Sequence, residues 1–200
     1  KIFFGTNDGI IHCLDAINGS EKWKNKIKRS ISTSFLFYQE RLYFGSNDTN
    51  LYCYEANNGK LLWKFKTDGA VSSAPQIFKN VILISSIDGH IYAIDSYDGQ
   101  ELWEINTGVQ KSYYPIAIDK KNNLVFIINN DQNICAIEPK SGEIKWEFTA
   151  QHIGLNPEII SVENMILAAS FDGMLYSIDV TEGKLIWNIK TDVFVYCDPP

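Results

Sequence analysis

One pattern recurs five times in this chain: a small residue, any residue, an acid, three residues, a glycine, three residues, a tryptophan. It reads Cys13, Asp15, Gly19, Trp23; Cys53, Glu55, Gly59, Trp63; Ala93, Asp95, Gly99, Trp103; Ala136, Glu138, Gly142, Trp146; and Ser177, Asp179, Gly183, Trp187. The copies contain all five tryptophans, which fall 40, 40, 43 and 41 residues apart. A unit of that length cannot bury an apolar face alone, so its neighbours must stack on it. A period near 40 residues belongs chiefly to propeller blades of four strands each.

The residues around each motif say how it folds. Segments such as His90 to Asp95 and Glu101 to Ile105 alternate apolar and polar side chains with the period of two of half-buried strands. The glycine between them supplies a positive φ, and Asn18, Asn58, Asp98, Ser141 or Glu182 precedes it, a turn former in most copies. The acid four residues earlier can accept backbone N–H bonds inside the turn, so Asp and Glu interchange there. Cys13, Cys53, Ala93, Ala136 and Ser177 are small enough to floor a large side chain, and a tryptophan from an adjacent blade is the expected occupant. An indole burying ~150–250 Å² would contribute roughly 4–6 kcal/mol at most. Repetition at a fixed spacing makes these tryptophans structural staples.

The period divides the chain into repeats 1–27, 28–67, 68–108, 109–150 and 151–191 with a partial repeat 192–200, within one domain spanning 1–200. The fold class is all-β, a β-propeller of four-stranded antiparallel blades. The first repeat holds three strands, Lys1–Thr6, Ile10–Asp15 and Lys22–Ile27. Later ones add a first strand, as at Ile31–Tyr38 and Val71–Phe78. Asp8-Gly9, Asp88-Gly89 and Asp172-Gly173 read as tight hairpin turns, with Asp48 and Asp131 at the matching places. The chain opens on a second strand and ends in Phe194–Pro200, the start of a first strand. Two expectations follow: a segment of a larger propeller, with open end blades that self-associate, or a five-bladed ring closed by that last strand.

Composition narrows the partners. A net charge of −6 argues against nucleic acid, which calls for clustered Lys and Arg. The longest basic run, Lys24 to Arg29, reads as a solvated strand edge. No stretch approaches the ~18 apolar residues of a membrane span. Cys13, Cys53, Cys135 and Cys197 are not placed to pair, and four unpaired thiols lean toward a reducing, cytoplasmic compartment. His12, His90 and His152 fall at unrelated phases of the repeat, against a zinc site. The sequons at Asn18-Gly19-Ser20 and Asn47-Asp48-Thr49 occupy turns where Asn is wanted structurally.

The five motifs resemble the tryptophan-docking motif of the pyrroloquinoline-quinone-like repeat, along essentially the whole chain. That resemblance implies a propeller found both in quinoprotein dehydrogenases and in non-enzymatic scaffolds, and it allows a periplasmic or cell-envelope location. In a propeller the first strand of each blade lines the central channel, so a small ligand should meet Thr33, Ser73, Tyr113, Asn156 and Asp198. A dehydrogenase of this family would need a base Asp, Ca²⁺ held by a carboxylate and an amide, and in many members adjacent cysteines. Asp198 and Asn156 are the available candidates, and the chain has no adjacent cysteines. The functional expectation is a non-catalytic module without cofactor that binds a protein or small ligand at its rim or channel. The alternative is an alcohol or sugar dehydrogenase using pyrroloquinoline quinone and Ca²⁺, or a fragment of one.

Overall fold

The computed structural model describes residues 1–108, 116–129, 131–150, 155–170 and 173–191, with backbone alone at 155–158. These residues form nineteen strands in five antiparallel sheets that follow the chain in order. The first sheet holds β1 (Ile2–Gly5), β2 (Ile10–Leu14) and β3 (Glu21–Lys26). The second holds β4 (Leu36–Tyr38), β5 (Arg41–Gly45), β6 (Asn50–Glu55) and β7 (Leu61–Lys66). The third holds β8 (Gln76–Phe78), β9 (Val81–Ser85), β10 (His90–Asp95) and β11 (Glu101–Asn106). The fourth is β12 (Ala117–Asp119), β13 (Leu124–Ile128), β14 (Asn133–Ile137) and β15 (Ile144–Thr149). The fifth is β16 (Leu155–Val162), β17 (Met165–Ser170), β18 (Met174–Asp179) and β19 (Leu185–Lys190). The described residues fall into two compact units, Lys1–Glu104 and one drawn from the residues that follow.

Burial follows a strand's place in its sheet. The second strand of a blade lies between the first and third strands, and β9 and β13 are buried at every position and β5 at Leu42 to Gly45. The outermost strands β3, β7 and β15 alternate, with the tryptophan among their less exposed positions. Within each unit, apolar clusters fill the space between neighbouring sheets. In the first unit Ile11, Phe44, Tyr52 and Ala56 pack with Trp23 and Phe35, and Leu51, Ile82, Ile84 and Tyr92 pack with Trp63 and Phe65. In the second, Phe126, Ile134, Ile166 and Tyr176 pack with Trp146 and Phe148.

The first strands of the second and third blades are shorter than the alternation predicts. The ladder survives only at Leu36–Tyr38 and Gln76–Phe78, with isolated bridges at Ile31↔Ser46 and Val71↔Ser86. Between bridge and strand, side-chain hydroxyls replace backbone carbonyls as acceptors, and Pro75 has no N–H to contribute. In the tight turns Gly9, Gly89 and Gly173 have φ of 82°, 90° and 82°, as the turn chemistry requires. Thr49 and Gln132 stand at the equivalent positions with φ of 68° and 63°, a strained conformation for residues carrying a Cβ.

Candidate functional site

Within each unit, neighbouring blades are fastened by one repeated joint. Trp23 Nε1 donates to the Ala56 carbonyl at 3.2 Å, Trp63 Nε1 to Ser96 at 3.3 Å and Trp146 Nε1 to Val180 at 3.1 Å. The ring lies on the glycine of the following motif. A Cβ on Gly59, Gly99 or Gly183 would stand 2.5–2.7 Å from indole carbons of Trp23, Trp63 or Trp146. The expected floor is therefore displaced. Cys13, Cys53, Ala136 and Ser177 are instead the cross-strand partners of their own blade's tryptophan, beside a register shift in the hairpin. A ring can approach backbone only where no Cβ intervenes, so the motif glycine serves both the turn and the joint.

The motif acid acts within its turn. Asp15 Oδ1 accepts the Ile17 N–H at 2.8 Å, Asp95 Oδ1 the Tyr97 N–H at 2.7 Å and Asp179 Oδ1 the Thr181 and Glu182 N–H groups at 2.8 and 2.9 Å. Glu138 does the same for Lys140 and Ser141, whereas Glu55 accepts the Asn58 side chain. A hydrogen-bonded ion pair with Lys22 and the Ile17 N–H hold the Asp15 carboxyl down at about 2.

Two of the five channel candidates have described side chains, and both hydroxyls are engaged in holding the sheet. Thr33 Oγ1 accepts the Gly45 N–H at 2.8 Å and donates to the Ser34 carbonyl at 3.0 Å. One repeat later, Ser73 Oγ accepts the Ser85 N–H at 2.7 Å. Tyr113 and Asp198 lie outside the described residues, as does the side chain of Asn156. Among the described residues no three His, Cys, Asp or Glu side chains gather as metal ligands would. No helix among them is long and apolar enough to cross a membrane.

The described cysteines give the cytoplasmic expectation no support. Cys13, Cys53 and Cys135 are free and buried. Burial pushes the Cys53 and Cys135 thiols up to about 12, so they are packing groups that stay protonated in any compartment.

A concavity of the first unit lies on its loop side. It encloses about 550 Å³ between the Asn7-Asp8 turn, the crossover Lys28-Arg29-Ser30 and Asn47. Lys28 and Arg29 therefore do more than edge a strand: β3 ends at Lys26, and the two cations line a cavity. The sequence signal was present in the alignment of crossovers, where Lys28-Arg29-Ser30 stands against Asp68-Gly69-Ala70.

The model of the family described as outer membrane protein assembly factor BamB matches residues 7–118 and 115–193. The chain belongs to this PQQ-like repeat family. Solved structures carry the same PQQ-like fold. BamB from Moraxella catarrhalis matches with a TM-score of 0.72 at 20% identity, over 94% of this chain and 61% of that one. The computationally designed Ika8 protein matches at 0.73 and 19% identity, over 94% and 57%. A quinohemoprotein alcohol dehydrogenase from Pseudomonas putida HK5 matches at 0.68 and 16%, over 94% and 40%. The likeness establishes a β-propeller, and this chain spans about three fifths of the BamB chain and less of the others. No curated protein sequence matches it significantly.

Proposed function

We propose that this chain is a non-catalytic propeller platform that holds a polypeptide partner on its loop side, as part of an assembly scaffold in the cell envelope. One observation carries the reading. The hydroxyls of Thr33 and Ser73, expected to face the channel, are bound to the N–H groups of Gly45 and Ser85, so they serve to keep their own sheets together. A propeller built this way contributes rigid loops, and rigid loops suit protein recognition. The matching family, described as an outer membrane protein assembly factor, supports the same role and an envelope location.

The competing reading is a dehydrogenase carrying pyrroloquinoline quinone and Ca²⁺. The described residues do not fit that group. Thr33 and Ser73 have their hydroxyls engaged, and the described thiols are buried in three different sheets. The test is to add pyrroloquinoline quinone and Ca²⁺ to the full chain and follow dye reduction with simple alcohols and aldose sugars. We expect no turnover and no saturable quenching of tryptophan fluorescence by the quinone. Turnover above the protein-free control would overturn the platform reading.

A further inference from the structure

Two successive crossovers between blades of the first unit should be built alike, and they are not. At the second, Asp68-Gly69-Ala70, the Asp68 and Gly69 N–H groups both donate to Asp88 Oδ2, at 3.0 and 3.1 Å. Asp88 belongs to the tight turn of the next blade, and that turn presses close: a Cβ on Gly69 would stand 2.5 Å from the Asp88 nitrogen. The crossover is thus a backbone cradle for a carboxylate, and the protein fills it with its own.

At the first crossover the equivalent residues are Lys28, Arg29 and Ser30, and the equivalent turn acid is Asp48. Arg29 carries a Cβ where Gly69 has none, while the backbone bond between turn and crossover is the same at both, Asn47 N–H on the Ser30 carbonyl at 3.0 Å and Ile87 N–H on the Ala70 carbonyl at 2.9 Å. Both turn acids accept a tyrosine hydroxyl, Asp48 from Tyr52 at 2.7 Å and Asp88 from Tyr92 at 3.0 Å, but Asp48 turns to the Asn50 side chain at 3.1 Å and takes no crossover N–H among the described residues. Among the described residues neither the Lys28 nor the Arg29 N–H meets an acceptor, and neither side chain has an ion-pair partner. Ser30 Oγ accepts from Asn47 Nδ2 at 2.7 Å, which leaves its own proton to donate. These residues border the cavity of about 550 Å³, open to solvent, with Asp8 the one carboxylate among its described lining residues.

We propose that the Lys28–Ser30 crossover is a receptacle for a carboxylate of an acidic polypeptide segment, which takes on the Lys28 and Arg29 N–H groups the place that Asp88 takes in the next blade. The inference rests on the platform reading and names the chemistry of the partner. Two cations and one carboxylate in the lining suit a singly charged guest better than a doubly charged phosphate. The Lys28 and Arg29 side chains then serve as the attracting rim, and the paired N–H groups fix where the oxygen sits.

The experiment uses the full chain and a fluorescein-labelled Glu-Gly repeat peptide with a blocked C-terminus, read by anisotropy, with its Gln-Gly counterpart and inorganic phosphate as competitors. We expect saturable binding of the Glu peptide alone, with amide resonances of Lys28 and Arg29 moving on titration. Arg29→Gly recreates the glycine of the second crossover and lets Asp48 take the N–H groups as Asp88 does, whereas Arg29→Gln removes the charge and keeps a side chain at that place. The glycine variant should therefore bind on the order of tenfold more weakly than the glutamine variant. Equal affinities for the two variants, equal binding of the Gln peptide, or phosphate binding without the Glu peptide would each overturn the proposal. Melting curves of both variants, expected to overlay, guard against loss of the fold, and Lys28→Gln with unmoved stability supplies a second loss of affinity. Failure here leaves the dye-reduction result untouched, so the two readings fall separately.

Discussion

Gly59→Ala tests the inter-blade joint, because Gly19 provides its control within the same protein. Both glycines sit in the same turn with nearly the same φ, 71° at Gly19 and 73° at Gly59. An alanine in that left-handed conformation costs ~1–2 kcal/mol at either site. Their surroundings differ. Around Gly19 a new Cβ meets nothing within 4 Å, whereas at Gly59 it stands 2.7 Å from two carbons of the Trp23 ring and from Asn25 Nδ2. Restoring ordinary contact pushes the ring back by roughly 0.7 Å, which overpacks the joint at ~1–3 kcal/mol. The Trp23 Nε1 to Ala56 bond starts at 3.2 Å and the Asn25 Nδ2 to Gly59 carbonyl bond at 2.6 Å, so the same shift breaks or bends both. Each is worth ~1 kcal/mol net. Gly59→Ala should therefore lose about 4–7 kcal/mol and Gly19→Ala about 1–2. Urea unfolding followed by tryptophan fluorescence gives both values at one protein concentration. Losses within about 0.5 kcal/mol of each other, the scatter of ordinary surface changes, would refute the joint as the source of stability.

Other consequences follow from the same geometry. Thr49→Gly relieves the positive φ that Gly9 and Gly89 accommodate freely in sister turns, and it should raise stability by about 0.5–1 kcal/mol in the same assay. Trp146 is seated on Gly183 and bonded to Val180, while Trp187 remains 39% exposed. Trp146→Ala should cost about 3–5 kcal/mol and Trp187→Ala no more than about half of that, and equal midpoints would contradict the difference in packing. Burial pushes the Asp88 carboxyl up, but the bonds it accepts from Ser86, the His90 N–H, Tyr92 and the Gly69 N–H outweigh it and leave it below its ordinary value. A depressed folded value stabilises fully above the ordinary carboxylate range near ~3.9 and is lost as pH falls through the folded value. The urea midpoint should thus drop on going from pH 7 to pH 3, and Asp88→Asn should show a lower midpoint at pH 7 with a shallower drop.

What the sequence settled by itself was local and periodic. Five copies of one motif state the blade, because the turn glycine, the acid that accepts its N–H groups and the alternating flanks each have a meaning within a few residues of chain. Gly99 at φ 76° with Asp95 bonded to Tyr97 is legible in this way. The tertiary structure decided which surfaces meet. That Trp23 lies on Gly59 and not on Cys53 depends on how far two sheets approach, and the motif spacing permits either. The hydroxyls of Thr33 and Ser73 read as ligand groups in sequence, since only the fold brings them against the N–H groups of Gly45 and Ser85. Lys28-Arg29 looked like a charged edge for the same reason. Charge is visible along the chain, but whether a backbone N–H meets an acceptor depends on where the acid of a neighbouring turn points, as Asp88 does and Asp48 does not, and that exists only in three dimensions.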